Sequence, residues 1–233
     1  CPEKFKQISC FLNNIKKFTV LDIGANIGYY SRSILAYSDK IEIIAIEPDL
    51  RNIAFASYNL CDKDNVSIYH LGLGSSFSRV RVKAPISARN RANESKFNTG
   101  LFTAIGNEDK QGTRIITCDV LVKTMNLDPA CFGWIKIDVE GFEMEVLKGM
   151  KDTLPMNKAP IEIEINPRTM FLAKVSFVDL IDYLGEFDYI PTIQDDIDIH
   201  EKNAMDVVFI KRGTEKQFYS FLQFKELKRN DLD

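Results

Sequence analysis

An α/β fold on a mainly parallel, seven-stranded sheet is predicted by three observations. Seven short β-rich runs recur along the chain, and helix-patterned segments separate most of them. Strands that alternate with helices form βαβ units, which need a parallel sheet covered on both faces. The chain has 233 residues, 45% of them hydrophobic, which is enough for one sizeable core and leaves little for a second. Residues 1–233 are therefore expected to form a single domain, with 1–17 as an N-terminal helix packing on the core.

The elements follow in order. Phe5, Ile8, Leu12 and Ile15 fall at helical spacing, so the opening residues read as an amphipathic helix. The strand runs are FTVLDIG (18–24), IEIIAIEP (41–48), VSIYHLGL (66–73), GWIKIDV (133–139), PIEIEIN (160–166), FDYIPTI (187–193) and MDVVFIK (205–211). Helices are expected near 28–37, 50–60, 142–154 and 170–185. Residues 84–112 are rich in Asn, Ser and Gly with little periodicity and read as an inserted loop. Its basic residues, Arg89 and Arg91 among them, could hold an acidic substrate, although a solvated, charge-protected edge explains Arg79, Arg81 and Lys83 equally well.

Composition narrows the function classes. The formal net charge of −3 gives no electrostatic case for nucleic acid or an anionic membrane surface. Five cysteines lack a C-x-x-C pair and histidines at metal-site spacing, so they read as reduced thiols of a cytoplasmic protein. No apolar run reaches the roughly 20 residues of a membrane span.

Chemistry gathers at strand ends, where open α/β sheets bind their ligands. VLDIGANIGYYS (20–31) follows the first strand and opens the first core helix. Gly24 and Gly28 allow a tight turn and close approach of a ligand to the peptide groups, which a Cβ would block locally. Glu47 ends the second strand, nineteen residues beyond Gly28, where it can accept hydrogen bonds from ribose hydroxyls. A G-x-G-x-x-G fingerprint would require glycine at Asn26 and Tyr29, which disfavours a pyrophosphate. Asp22 adds a carboxylate suited to a cationic ammonium or sulfonium ligand.

The stretch WIKIDVEGFEMEVLKG (134–149) places Lys136, Asp138 and Glu140 on one strand face, and Glu162 and Glu164 share a face of the next strand. Asp138, Glu140 and Glu164 can thus converge on the mouth of a cleft. Burial would be costly without a cation, a hydroxyl or a metal as partner, unless Lys136 or Arg168 simply pairs with them. Glu143 and Glu145 read as solvated first-turn residues of the following helix. Of the two histidines, His70 could line a nucleoside pocket or be structural, and His200 could face a substrate.

Taken together, VLDIGANIGYYS, AIEP (45–48), NTG (98–100), KIDVEG (136–141), VLKG (146–149) and IEIEINP (161–167) resemble the signature of the FkbM family of S-adenosylmethionine-dependent methyltransferases, from about Thr19 to Pro167. Beyond Pro167 only VVFIKR (207–212) is similar. The resemblance implies a Rossmann-like class I methyltransferase sheet with a reversed hairpin at its end. It implies S-adenosylmethionine held by Asp22, Gly24, Asn26, Gly28, Glu47 and Asp138, and methyl transfer to a hydroxyl of a glycan or secondary metabolite. Asp138, Glu140 and Glu164 are then the catalytic candidates, and Asn98, Arg89, Arg91 and His200 the substrate candidates. The carboxylates could hold Mg²⁺ or Ca²⁺, but a route without metal is favoured. Expected partners are a small-molecule or glycan acceptor, with neither nucleic acid nor membrane. The alternatives are a non-catalytic nucleotide-binding module and an NAD-dependent oxidoreductase; the latter conflicts with Asn26 and Tyr29.

Overall fold

A computed structural model of the chain describes residues 2–80, 112–194 and 204–228. The core is one sheet with helices on both faces. Its strands are β1 (Thr19–Ile23), β2 (Glu42–Glu47), β3 (Val66–His70), β7 (Phe132–Ile137), β8 (Ile161–Ile165), β9 (Tyr189–Gln194), β10 (Met205–Lys211) and β11 (Phe224–Glu226). A second sheet joins β4 (Gly72–Leu73), β6 (Thr113–Ile116) and β5 (Ser78–Val80).

The large sheet runs in the order β11-β9-β10-β8-β7-β1-β2-β3. The five strands from β3 to β8 are parallel, and β10 lies antiparallel between β8 and β9. This is the expected reversed hairpin. The sheet has eight strands rather than the expected seven, because β11 adds an antiparallel edge to β9. Phe224-Lys225-Glu226 buries only its phenylalanine, so no apolar run marks it in the sequence. The third run is divided: β3 stays in the large sheet, while Gly72 and Leu73 pair with β6 in the small one.

Helix α1 (Pro2–Ile15) buries Phe5, Ile8, Phe11 and Leu12 against Trp134, Val20 and Val208 on one face of the sheet, together with α2 (Tyr29–Leu35). Helix α3 (Leu50–Asn59) follows β2. The opposite face, carrying Leu21, Ile23, Ile135, Ile137, Ile161 and Ile163, is covered by α4 (Cys118–Thr124), α5 (Glu143–Lys148), α6 (Thr153–Met156), α7 (Pro167–Ala173) and α8 (Phe177–Gly185). A short helix α9 (Glu215–Tyr219) precedes β11. No helix among the described residues is long and apolar enough to cross a membrane.

Strands β1, β2 and β3 step outward in one direction, and the chain then returns to lay β7 on the other side of β1. The order of the sheet therefore reverses between β1 and β7, which opens a crevice at their carboxyl ends. Asp22, Gly24, Asn26, Gly28, Glu47, Asp138, Glu140 and Glu164 collect there.

Candidate active site

Two turns build the crevice. After β1 the chain turns through Gly24 (φ 84°), Asn26 (φ 52°) and Gly28 (φ 79°) before entering α2. The amides of Gly24 and Ala25 both donate to the Ile46 carbonyl, at 2.9 and 3.0 Å, and the Asn26 amide donates to Glu47 Oε2 at 2.8 Å. The end of β2 thus holds the glycine loop. Gly24 needs its small size for protein packing as much as for a ligand, because the backbone of Asp138 passes where its Cβ would stand.

Glu47 is buried, and its other oxygen accepts from the Asp49 amide at 2.8 Å and from Asn52 Nδ2 at 3.3 Å. Burial pushes its carboxyl above the usual range, while these hydrogen bonds pull the other way. A carboxylate has about four acceptor positions, so these three donors leave one. Asp22 is sealed within the protein and accepts from Ser31 Oγ at 2.5 Å. Burial lifts it to about 6, against the pull of Ser31 and Lys136. Its carboxylate therefore braces the first turn of α2 beneath the loop.

The second turn follows β7. Asp138 continues the ladder by donating its amide to the Ile23 carbonyl at 2.9 Å, and then Glu140 (φ 53°) and Gly141 (φ 101°) reverse the chain. Glu140 thus reaches the other carboxylates through a left-handed turn and not through strand alternation. One oxygen each of Asp138, Glu140 and Glu164 lies within 4.8 Å of the others, all three side chains half-buried. Asn166 Nδ2 donates to Glu140 at 3.4 Å.

Glu143 corrects the sequence reading. It is buried, and its Oε1 accepts from the Gly141 and Val139 amides at 3.0 and 3.4 Å, so it fixes the turn that presents Glu140. Glu145, by contrast, is half-exposed and meets Ser75 and Lys148. His70 places Nε2 3.1 Å from the Pro48 carbonyl at the end of β3, an exposed structural contact. Arg89, Arg91, Asn98 and His200 lie outside the described residues, as does the inserted loop apart from Gly112.

The carboxyl cluster retains protons. Burial first, and then its neighbours Glu164, Asp138 and Glu143, push Glu140 up to about 8. Burial and Asp138 push Glu164 up to about 7, with Lys136 opposing. Asp138 is raised mainly by burial, again against Lys136, whose Nζ stands 3.9 Å from it. Crowded carboxyls ionise one after another, so near neutral pH the group holds both bases and acids.

Beneath this cluster runs a mostly buried ionic row, of which the sequence suggested only Lys136 as a partner of the carboxylates. Lys136 reaches Asp206 at 2.7 Å and Glu162 at 3.5 Å, and Lys4 of α1 reaches each of those carboxylates at 2.7 Å. Glu162 also accepts from Tyr30 Oη at 2.8 Å and Trp134 Nε1 at 3.1 Å. The alternation of IEIEI signalled that Glu162 and Glu164 share a face. Nothing local signalled that α1 would deliver a lysine to it.

The sequence matches the model of the Methyltransferase FkbM domain over residues 22–191. The chain belongs to the FkbM methyltransferase family. Among solved structures, its fold is similar to that of methyltransferase FkbM from Methylobacillus flagellatus KT, with 19% identity and a TM-score of 0.54 over 83% of this chain and 43% of that one. The chain thus spans under half the length of that FkbM structure. An O-methyltransferase from Bacillus cereus, solved in complex with SAH, matches at 12% identity and a TM-score of 0.49 over 91% of this chain and 82% of its own. TomG from Streptomyces achromogenes, an O-methyltransferase involved in tomaymycin synthesis and solved with SAM, matches at 11% and 0.49 over 89% and 79%. No curated protein matches the sequence. The family match takes in both turns of the crevice, from Asp22 to Glu164, and leaves Lys4 and Asp206 outside it.

Proposed function

We propose that the chain is an S-adenosylmethionine-dependent methyltransferase that modifies a hydroxyl of a small-molecule or glycan acceptor. The observation that carries this reading is the convergence of Asp138, Glu140 and Glu164 beside the glycine loop of an FkbM-family crevice. The residues fit the cofactor: the tight loop from Gly24 to Gly28 ends β1 at the crevice, Glu47 keeps an acceptor position for ribose, and the carboxylates suit a cation. When bound, S-adenosylmethionine supplies an activated methyl group on a positively charged sulfur.

The chain's own tasks are orientation and proton removal. An ordinary carboxylate, near pKa 4, is a poor base for a hydroxyl; one displaced to about 7 or 8 is better matched to neutral pH. An ionised Asp138 or Glu164 accepts the hydroxyl proton as the oxygen loses electron density, and protonated Glu140 donates a hydrogen bond that holds the acceptor. A divalent cation could bridge oxygens at this spacing. The Lys136 ammonium beside Asp138 already places a positive charge there, which favours a proton-holding cluster instead.

Calorimetry of the purified chain with S-adenosylmethionine, followed by measurement of S-adenosylhomocysteine released with hydroxylated acceptors, tests the reading. Binding with acceptor-dependent release supports it. A chain that binds no S-adenosylmethionine contradicts it.

A further inference from the structure

The row formed by Lys4, Glu162, Asp206 and Lys136 is balanced, two cations against two anions, and it lies directly under the proposed active site. Lys4 Nζ touches Glu162 Oε1 and Asp206 Oδ2, both at 2.7 Å. Lys136 takes Asp206 Oδ1 at 2.7 Å and faces Asp138 at 3.9 Å. Glu162 is fully buried, and Lys136 is nearly so. Glu162 gives its remaining oxygen to Tyr30 and Trp134. Each charge is therefore accounted for only while Lys4 is in place.

We propose that Lys4, carried on α1, is a positioning residue for the carboxyl cluster: by countering Glu162 and Asp206 it leaves the Lys136 ammonium available to Asp138. Without the Lys4 charge, one ammonium must serve both the fully buried Glu162 and the half-exposed Asp206, and the row turns net negative beside Asp138. Buried charges of like sign disfavour further ionisation nearby, so the cluster holds its protons more tightly. Around the cluster, Asp22 on β1, Lys136 on β7, Glu143 on α5, Glu162 on β8 and Asp206 on β10 act on it directly, and Tyr30 on α2 and Lys4 on α1 reach it through Glu162 and Asp206. Lys4 and Lys136 are the two cations in that set. Against the pull of burial, these carboxylates hold Lys4 and Lys136 above the usual lysine range, and both lysines together hold Asp206 well below the carboxylate range. Lys4, Lys136 and Asp206 thus stay charged throughout the neutral range in which the cluster titrates. Helix α1 becomes part of the site through electrostatics, although Lys4 precedes the residues matched to the family.

The inference rests on the cluster being the active site, but its test needs neither cofactor nor acceptor, so its failure can be told from failure of the methyl-transfer reading. Side-chain carboxyls labelled with ¹³C are titrated by NMR in the full chain, in Lys4→Gln, which keeps a hydrogen-bond donor but loses the charge, and in Lys4→Arg. The expected result is two midpoints near neutrality in the parent chain that rise by about half a pH unit or more in Lys4→Gln and stay in place in Lys4→Arg. The charge-balanced Lys4→Gln/Glu162→Gln double variant should return them toward the parent values. It also serves as the test if Lys4→Gln alone does not fold. Lys4→Gln midpoints that stay put despite a lower melting temperature would make Lys4 a structural brace only. Midpoints still displaced in the double variant would equally overturn the proposal.

Discussion

The carbonyl oxygen of Asp138 lies 1.8 Å from the position that a Cβ on Gly24 would occupy. The two turns of the crevice are therefore in backbone contact, and the glycine at position 24 joins β1 to β7 before any ligand arrives. A local defect confined to ligand binding, as the sequence alone suggests, is not what a side chain there would cause. With φ at 84°, a substituent also strains the turn itself.

Gly24→Val should consequently lose cofactor binding and stability together, by at least about 2 kcal/mol, the scale of a forced overpacking. Denaturant unfolding monitored by circular dichroism checks this. A variant as stable as the parent chain would contradict the packing described here.

Glu47→Ala should weaken S-adenosylmethionine more than about tenfold in calorimetry, since a charged acceptor is lost and its donors are stranded. The amides of Asn26 and Asp49 are two of those donors, so the melting temperature should fall as well. Glu47→Gln, which retains an acceptor oxygen, should lie between. Unchanged affinity in both variants would remove the ribose assignment.

Asp138→Asn should lower turnover at least about a hundredfold, the scale of a lost general base, and Glu140→Gln, which still donates a hydrogen bond to the acceptor, should lower it less. Cofactor affinity near pH 6, where Glu140 and Glu164 keep their protons, should change by no more than about threefold. Steady-state assays of S-adenosylhomocysteine release measure the first and calorimetry the second. Full turnover in both variants would make the cluster structural.

The same carboxyls set a pH dependence of stability. Glu140, Glu164 and Asp22 have folded values of about 8, 7 and 6, all above their unfolded ones. Between the unfolded and folded values the native state binds more protons, so stability falls as pH rises. Their contribution is complete below about pH 4 and lost progressively up to about pH 8. Thermal melts should therefore show a lower melting temperature at pH 8 than at pH 5.5, and Glu140→Gln should reduce the difference. A parent chain that melts equally at both would show that these groups do not titrate as described.

Much of this was legible in the sequence because its signals are local. Apolar β-rich runs such as TVLDI and EIIAIE announced the parallel strands, and Asp138, Glu140 and Glu164 were placed together from their position at strand ends. What escaped depends on partners distant in sequence. Glu143 looked like a solvated helix-start residue, yet the Glu140–Gly141 turn folds its amide back onto that side chain. Lys4 and Asp206 lie 202 positions apart and meet only once α1 packs over β10. Helix α4 carried an overlooked local sign: Thr117 caps it by accepting from the Val120 amide at 3.1 Å. Strand β11 had none, since it is held by pairing with β9 and by the single buried Phe224.

The central claim is that the carboxyl cluster faces the positive charge of the cofactor, and the most direct measurement compares S-adenosylmethionine with S-adenosylhomocysteine, which lacks that charge. Their affinities are determined by calorimetry from about pH 6 to about pH 9, across the range in which Glu164 and Glu140 ionise. The account predicts that preference for S-adenosylmethionine rises at least about threefold with pH, as ionised carboxylates accumulate, and that Glu140→Gln flattens the rise. A ratio independent of pH in the parent chain would contradict it.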